Sequence, residues 1–491
     1  MTIQGLQAEL ESLGVVLWSD NGMLRYRAPV GVMNEALLSE LKHHKTALLD
    51  LLAQTTPDAL QPDPSAWYEP FPLTDVQAAY LMGRNPAFTY GGVACHGYLE
   101  FKWPALDVPQ LEKVWNHLIQ RHGMLRAVVH ADGYQQILER VPHYAIEVQS
   151  VEQRESVRQR LMIRSQSPAQ WPLVDWVVTG NGDACHLHLS VDLLVCDYQS
   201  IRMLLGELAA LYLGSAPAAE PALSFRDYVL AERHQRASAQ YQSDQQYWHP
   251  LIEHWPGAPD LPVSQAPEPW SPDFDRRHFQ LSRADYARLQ QHAADAGIGV
   301  SVAVLAAYAE VLRRWSRRDQ FCLSLTLLNR LPLHPEVDQL IGDFSAVEVL
   351  AIDPSVEQTA EGNSMSFAER AKRLQRRLWQ DMDHRLFSGV EVLREVGRQH
   401  GREAALLPYA YTSTLGARQA HGAESLLPGT TLVDAMTQTP QVLIDCQVAE
   451  QGDALSINWD CRQAAFSQTL LDDMFDSFQA LVRSLATHAQ C

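Results

Sequence analysis

No apolar run in this 491-residue chain is long enough to cross a bilayer, and no charged-then-apolar leader opens it. A helical membrane span is therefore excluded, and the expectation is a protein that stays in the cytoplasm. Paired CxxC spacings are also missing. The seven cysteines, Cys95, Cys185, Cys196, Cys322, Cys446, Cys461 and Cys491, are scattered and odd in number, so neither a disulfide framework nor a zinc site is indicated and reduced thiols are expected. Positive charge is scarce: 39 Lys and Arg stand against 58 Asp and Glu, a formal net charge of -19. Phosphate backbones are bound largely by cations that displace counterions, so nucleic acid is not an expected partner.

What is present is an ordinary globular composition, 46% hydrophobic, in a chain longer than one hydrophobic core usually supports, so at least three units are expected. Residues 1–55 read as a small α+β unit. Ile3, Leu6, Leu10 and Leu13 fall at helical spacing, and Ser19-Asp20-Asn21-Gly22 is a hairpin signal between Val15–Trp18 and Met23–Arg27. Leu38, Leu41, Leu48, Leu49 and Leu52 form a later helical stripe. Residues 56–69, with Pro57 and Pro64, read as a linker. Helical stripes then alternate with short apolar strands, as an α/β layered architecture requires. Leu111, Val114, Trp115, Leu118 and Ile119 make one stripe, and Ile201, Leu204, Leu205, Leu208 and Leu211 another. A proline-rich passage over 251–272 divides a lobe at 70–250 from a second at 273–491. The second carries stripes at Val304, Tyr308, Val311 and Trp315, at Phe367, Ala371, Leu374 and Leu378, and from Leu470 to Leu485.

The most informative stretch is Asp192-Leu193-Leu194-Val195-Cys196-Asp197-Tyr198-Gln199-Ser200, which places two carboxylates and a hydroxyl just after an alternating strand, His186 to Val191. It reads as a reaction centre at a strand end. His186 and His188 share one face of that strand, but two histidines with no third ligand nearby point to hydrogen-bonded or solvent-facing side chains rather than a metal. No metal is expected.

Together with Phe71-Pro72-Leu73-Thr74-Asp75-Val76-Gln77-Ala78-Ala79-Tyr80 and Arg121-His122-Gly123-Met124-Leu125-Arg126, this stretch resembles the core motifs of heterocyclization domains of nonribosomal peptide synthetases, variants of the condensation-domain family. The family usually carries His-His-x-x-x-Asp-Gly here. Heterocyclization domains replace it with Asp-x-x-x-x-Asp-x-x-Ser, matched by Asp192, Asp197 and Ser200. Leu325 to Arg330, Gly342-Asp343-Phe344 and Gln438-Thr439-Pro440-Gln441 follow in the family's order. Departures are modest: Leu328 and Tyr411 stand where phenylalanine is common. The resemblance implies two chloramphenicol-acetyltransferase-like lobes set in a V, preceded by the docking unit. It also implies a channel between the lobes for phosphopantetheine arms of carrier proteins, with no bound cofactor.

The implied chemistry has two parts. The amine of a carrier-bound cysteine, serine or threonine attacks an upstream acyl thioester; the side chain then closes on the new amide carbonyl, and water leaves. Hydroxide is a poor leaving group, so a proton donor and an acceptor are needed within hydrogen-bond reach. The resemblance assigns dehydration to Thr412 and Asp445, within Tyr411-Thr412-Ser413-Thr414 and Pro440 to Gln447. Ser413 and Thr414 are adjacent hydroxyls, and on its own Asp445 also reads as a strand residue hydrogen-bonded in the core. Asp445 follows three apolar residues, a context in which burial raises a carboxyl pKa. Of the first-lobe pair, Asp192 is expected nearer the channel. Asp197 is expected to be chiefly structural and paired with a buried arginine, with Arg330 a candidate. Ser200, Asn329 and Gln441 are expected to bind substrate. Asp381-Met382-Asp383-His384, continuing to Val390, reads as a helix end and channel lining.

The first unit is similar to TubC-like N-terminal docking domains. Arg25, Arg27, Lys42, His43, His44 and Lys45 form a basic island in an acidic chain, expected to capture the acidic C-terminal tail of an upstream subunit at a strand edge. The combination most resembles the start of pyochelin synthetase subunits, which close a thiazoline from cysteine in siderophore assembly. Expected partners are an upstream aryl or peptidyl carrier protein and downstream adenylation and peptidyl carrier domains, with the chain a piece of a longer subunit. Alternatives are a condensation-only domain and a noncatalytic docking or gating module.

Overall fold

The structure, a computed structural model, describes residues 60–104, 106–163, 166–264, 271–353, 365–415 and 429–488. Within the first 59 it describes residues 6, 16–20, 23–27, 37, 40–42, 44–45 and 47–49. Two compact units result, one of Met1–Pro62 with Leu331–Asp338, the other of Asp63–Arg330 with Gln339–Cys491. In the first, β1 (Val16–Asp20) and β2 (Met23–Arg27) pair antiparallel from Val16↔Arg27 to Asp20↔Met23. That register matches the expected hairpin, although Asn21 and Gly22 themselves lie outside the described residues. Leu6, Leu37, Leu41 and Leu48 are buried. Leu37 joins the stripe, whereas Ile3, Leu10, Leu13, Leu38, Leu52 and His43 lie outside the described residues. Lys42 and Lys45 are exposed, and His44 lies 3.6 Å from Glu40.

The larger unit is a mixed α/β fold built on two principal sheets. Its first half supplies β3 (Phe71–Pro72), β4 (His96–Lys102), β5 (Ala127–His130), β6 (Tyr134–Ile137), β7 (Glu147–Gln149), β8 (Val174–Thr179) and β9 (His186–Asp192). Its second half supplies β10 (Phe274–Leu281), β11 (Phe321–Leu328), β12 (Ser345–Ile352), β13 (Tyr409–Ser413), β14 (Thr431–Gln438), β15 (Ile444–Gln451) and β16 (Ala454–Arg462). The second-half sheet runs β10-β16-β15-β13-β11-β12, and a small sheet runs β3-β6-β5. The first-half sheet runs β14-β4-β9-β8-β7. Its outermost strand thus comes from the second half of the sequence: β14 pairs antiparallel with β4, from Thr431↔Lys102 to Gln438↔His96, with a bulge between Leu432 and Asp434. Hydropathy periodicity carries no sign of this crossover, because a strand's alternation does not say which sheet it joins.

Helices form where the stripes lie. In α1 (Asp75–Gly83), Thr74 and Gln77 make a reciprocal capping box. In α2 (Val108–Arg121), the Asp107 side chain accepts from Gln110 N, and all five stripe residues are buried. After α3 (Arg154–Met162) comes α4 (Tyr198–Tyr212), in which Leu204, Leu205 and Leu208 enter the core while Ile201 instead lines a cavity. Then come α5 (Phe225–His234), α6 (Ala239–Glu253), α7 (Arg283–Asp295), α8 (Val300–Trp315), α9 (Phe367–Met382), α10 (Gly389–His400) and α11 (Gln468–Thr487). One face of the six-stranded sheet is packed by α8 and α11. There Trp459 meets Tyr308, Phe475 and Phe478 at centroid distances of 5.3 to 5.4 Å. Tyr411, Cys446, Ile457 and Cys461 join the same apolar cluster. With one face committed to the core, residues at alternate positions must face the other way. No single helix among the described residues is long and apolar enough to cross a membrane.

Candidate active site

The opposite face of the six-stranded sheet is polar. Ala410, Asp445, Asp460 and Arg276 stand opposite one another across β13, β15, β16 and β10, and Thr412, Gln447, Asn458 and His278 form the next row. Directly opposed residues share a face, so the pleat brings together side chains from strands up to 184 residues apart in sequence. Thr412 Oγ1 donates to Asp445 Oδ1 at 3.0 Å, and Gln447 Nε2 donates to Asp445 Oδ2 at 2.8 Å. Asp445 is only 9% exposed. Burial, reinforced by the charge of Asp460, pushes its carboxyl up to about 6 against the pull of the Gln447 and Thr412 hydrogen bonds and of Arg276. Such a group changes protonation near neutral pH, as acid–base work requires.

Thr412, Asp445 and Gln447 line a cavity of about 1100 Å³, with Arg276, Thr326, Thr437 and Gln441. First-half residues Tyr80, Gly97, Leu193, Asp197, Tyr198 and Ile201 also contribute to its wall. Gln441 occupies the turn between β14 and β15 with φ 65, and its backbone N–H donates to Tyr90 O at 2.9 Å. A left-handed backbone in a residue with a side chain is held only by surrounding structure. Ser413 and Thr414 line the cavity as well, but Thr412 is the hydroxyl on Asp445.

The Asp192–Ser200 loop is placed differently from expectation. Asp192, expected nearer the channel, is wholly enclosed, ion-paired with Arg84 and accepting from Leu194 N at 3.2 Å; it is not among the cavity-lining residues. Asp197 is the one that reaches the cavity wall. The reason is the turn after β9, which directs Asp192 toward the end of α1 and leaves Asp197 as the N-cap of α4, its carboxylate accepting from Ser200 N at 2.6 Å. Asp197 also accepts from Phe344 N at 3.3 Å and lies 3.4 Å from Arg330, whose guanidinium covers the Phe344 ring at 4.0 Å.

Ser200, expected to bind substrate, is fully enclosed. Its Oγ donates to Gly342 O at 2.9 Å and accepts from Gly342 N at 3.1 Å and Arg330 Nη2 at 2.9 Å. Asn329, also expected at the substrate, is absent from the cavity wall. Its backbone N–H donates to Phe344 O at 3.0 Å and its carbonyl accepts from Tyr228 at 3.1 Å. Ser200 thus occupies a structural position, because the converging Asp-x-x-Ser, Asn-Arg and Gly-Asp-Phe segments use their polar atoms on each other, and Asn329 joins that junction through its backbone. Asp343, buried beside them, is pushed up to about 8 by burial and accepts from Ser345 N at 3.1 Å.

Asp381 to His384 is likewise not channel lining. Asp381 binds Arg377 at 2.8 Å and Tyr247 at 2.7 Å, and His384 lies 3.0 Å from Asp244; only Val390 of the continuing segment reaches the cavity. His188 is hydrogen-bonded to Tyr98 and Thr179 at 2.8 Å each, and burial lowers its imidazole to about 4. His186 lies 2.9 Å from Glu100. Among the described residues no group of three or more His, Cys, Asp or Glu is placed to hold a metal. The residues that sequence reasoning missed are Arg84, Arg276, Gln447 and Asp460. Polar residues two apart in otherwise apolar strands, Asp445 with Gln447 and Asn458 with Asp460, were the available signal.

The condensation-domain model matches residues 72–490, and the TubC N-terminal docking-domain model matches residues 3–54. Pyochelin synthetase PchF of Pseudomonas aeruginosa is 39% identical over 99% of the chain, and pyochelin synthetase PchE of the same organism 34% identical over 86%. The chain spans 27% and 29% of those two relatives. The crystal structure of the EpoB NRPS cyclization-docking bidomain from Sorangium cellulosum superposes with a TM-score of 0.83 at 34% identity, over 99% of this chain and 98% of that one.

Two outcomes follow from the geometry. Arg330→Met leaves Asp197 and Ser200 enclosed without their cation, and should cost about 3–5 kcal/mol in urea denaturation; a loss below about 1 kcal/mol would refute the pairing. Asp445 has a folded pKa above its unfolded value, so its stabilising contribution is complete below about 3.8 and is lost as pH rises through about 6. Between pH 4 and pH 8 the protein should therefore lose about 2–3 kcal/mol relative to Asp445→Asn. A gap that does not change with pH contradicts the assignment.

Proposed function

The chain belongs to the condensation-domain family and carries a TubC-type docking domain at its start, and from that premise we propose that it is a heterocyclization domain of a siderophore-forming nonribosomal peptide synthetase. It joins an upstream carrier-bound acyl group to carrier-bound cysteine, or serine or threonine, and then cyclodehydrates the product to a thiazoline or oxazoline. The observation that carries this reading is the Thr412–Asp445 hydrogen bond, at 3.0 Å, in the wall of the large cavity.

The geometry accounts for the harder step. After the side-chain nucleophile adds to the amide carbonyl, the ring carries a hydroxyl and a nitrogen-bound proton on neighbouring atoms. Asp445, when ionised, accepts the nitrogen proton as the C=N bond forms and the C–O bond breaks. The departing hydroxyl takes up the proton that the Asp445 carboxyl relays and leaves as water, so the step releases one water and no net proton. A carboxyl near 6 serves both directions of transfer at neutral pH without being trapped in one form. Thr412 fixes one oxygen of that carboxyl and leaves the other edge to Gln447. Thr412 and Asp445 are thus the catalytic residues, and Gln441 a substrate-facing one. Asp197 acts from the cavity wall through its hold on the loop, and Asp192 holds the same loop from behind. The substrates arrive on phosphopantetheine arms, so no bound cofactor is needed, and reach and alignment replace a pocket for a free small molecule.

The docking unit, residues 1–55, joined by the linker at 56–69 to lobes at 70–250 and 273–491, receives the acidic C-terminal tail of an upstream carrier subunit. The exposure of Lys42 and Lys45 in an acidic chain supports charge complementarity there. Downstream adenylation and peptidyl carrier domains supply the acceptor, in the cytoplasm.

Incubating the chain with a salicyl-loaded donor carrier and a cysteinyl-loaded acceptor carrier, followed by mass spectrometry, should give a product one water lighter than the linear amide. Asp445→Ala should yield linear amide with ring formation reduced at least about a hundredfold. Ring closure at the wild-type rate would remove Asp445 from the mechanism, and linear amide from the unaltered chain would mark a condensation-only enzyme. Deleting residues 1–55 should weaken transfer from the upstream carrier at low protein concentration; unchanged transfer would refute the docking role.

A further inference from the structure

Directly across the β15–β16 pair from Asp445 lies a second buried carboxylate that the reaction scheme leaves without a task. Asp460 is 1% exposed. Its Oδ1 accepts from Arg276 Nε at 2.6 Å, and its Oδ2 accepts from Arg276 Nη2 at 2.6 Å, Thr437 Oγ1 at 2.6 Å, Thr437 N at 3.1 Å and Gln447 Nε2 at 3.1 Å. Gln447 is shared: the nitrogen that reaches Asp460 also donates to Asp445, and its Oε1 accepts from Arg276 Nη2 at 3.4 Å. Thr437 belongs to β14, the strand that crosses into the first-half sheet, so the network ties both sheets to the geometry of one carboxyl.

We propose that Asp460 is a positioning residue for cyclodehydration: it anchors Gln447 and Arg276 behind Asp445, and the Asp460–Arg276 pair sets the charge balance against which Asp445 exchanges its proton. This rests on the reading of Thr412 and Asp445 given above. Two carboxylates and one guanidinium share the site. The trio is neutral when Asp445 is protonated and carries one negative charge when Asp445 is ionised. Removing the Asp460 charge leaves an uncompensated guanidinium, which favours ionised Asp445; removing the Arg276 charge leaves an uncompensated carboxylate, which favours protonated Asp445.

Among the other groups around this trio, Asp434 of β14 also acts on Arg276 through its charge, favouring the cation alongside Asp460 and Asp445. Thr412, Thr437 and Asn458 are uncharged. His278 is hydrogen-bonded to Asn458 at 2.7 Å, and Asp434, farther along β14, lies 3.5 Å from Arg158. Tyr80 of α1, Tyr308 of α8 and Cys446 of β15 feel the charge of Asp445, but burial holds all three in their protonated forms. The bidentate geometry of Arg276 matters as much as its charge, since a planar fork fixes the carboxylate plane of Asp460 and through it the Gln447 amide.

The test is the pH–rate profile of ring closure in single turnovers with the salicyl- and cysteinyl-loaded carriers, with thermal melts to verify folding. Asp460→Asn should lower the ratio of ring to linear amide about tenfold at neutral pH and move the acid limb of the profile down by about one pH unit. Arg276→Gln should move that limb up, and Arg276→Lys should return it toward its original position. Thr437→Val, which removes an uncharged partner, should slow closure without moving the limb. Opposite shifts cannot come from general loosening. Limbs that stay fixed in both charge variants, or move the same way, overturn the proposal. Persistent ring closure in Asp445→Asn would instead overturn the assignment on which it rests, so the two failures are distinguishable.

Discussion

One constraint organises the functional half of this molecule: a carboxyl must be kept dry enough to hold a proton near neutrality and yet touch a cavity of about 1100 Å³, which the proposed function fills with two tethered substrates. The hydrogen bond from Thr412 to Asp445 meets it. A buried carboxylate with no partner would relax toward water or distort its strand. Thr412 and Gln447 satisfy its two oxygens without supplying the full positive charge that would drive it permanently ionised. Arg276, whose charge also reaches Asp445, is paired with Asp460. The sheet makes this possible because its other face is an aromatic and aliphatic core around Tyr308, Trp459 and Phe478, which fixes the strands and therefore the polar rows.

The second requirement is that the two sheets hold a fixed relation around the cavity. Motifs distant in sequence meet at the Asp192–Ser200 loop. Gln77 of α1 donates to Leu194 O at 2.6 Å, Arg84 holds Asp192, and Arg330 with the Gly342–Phe344 backbone holds Asp197 and Ser200. Gly342 leaves no room for a side chain, since a Cβ there would fall 2.3 Å from the Phe225 ring. Strand β14 adds a second connection by pairing with β4. The residues that look most reactive in the sequence, two aspartates and a serine after a strand, are thus held in a fastening, while the proposed function assigns proton transfer to the polar face of the other sheet.

That division explains what the sequence disclosed. Helices α2, α4 and α11 were legible because an amphipathic stripe is a local property, and the family fold was legible from the order of its motifs. The Thr412–Asp445 contact was anticipated only through the family resemblance, because strands 33 residues apart reveal nothing local about their pairing. Asp192 and Ser200 were misplaced for a related reason: a polar residue in a motif marks a contact without saying whether that contact is substrate or a neighbouring group of the protein. The crossover of β14, and with it the reach of Thr437 to Asp460, depends on tertiary pairing that no window of residues encodes.

The central claim is that Asp445 holds its proton unusually tightly because of where the fold places it. The most direct measurement is a carboxyl-specific titration, by difference infrared or carbon-13 spectroscopy on protein labelled at aspartate, with Asp445→Asn identifying the signal. A midpoint near 6 is expected. A midpoint at the ordinary value near 3.8 would mean that Asp445 is an unremarkable surface-like carboxylate, and would contradict the account.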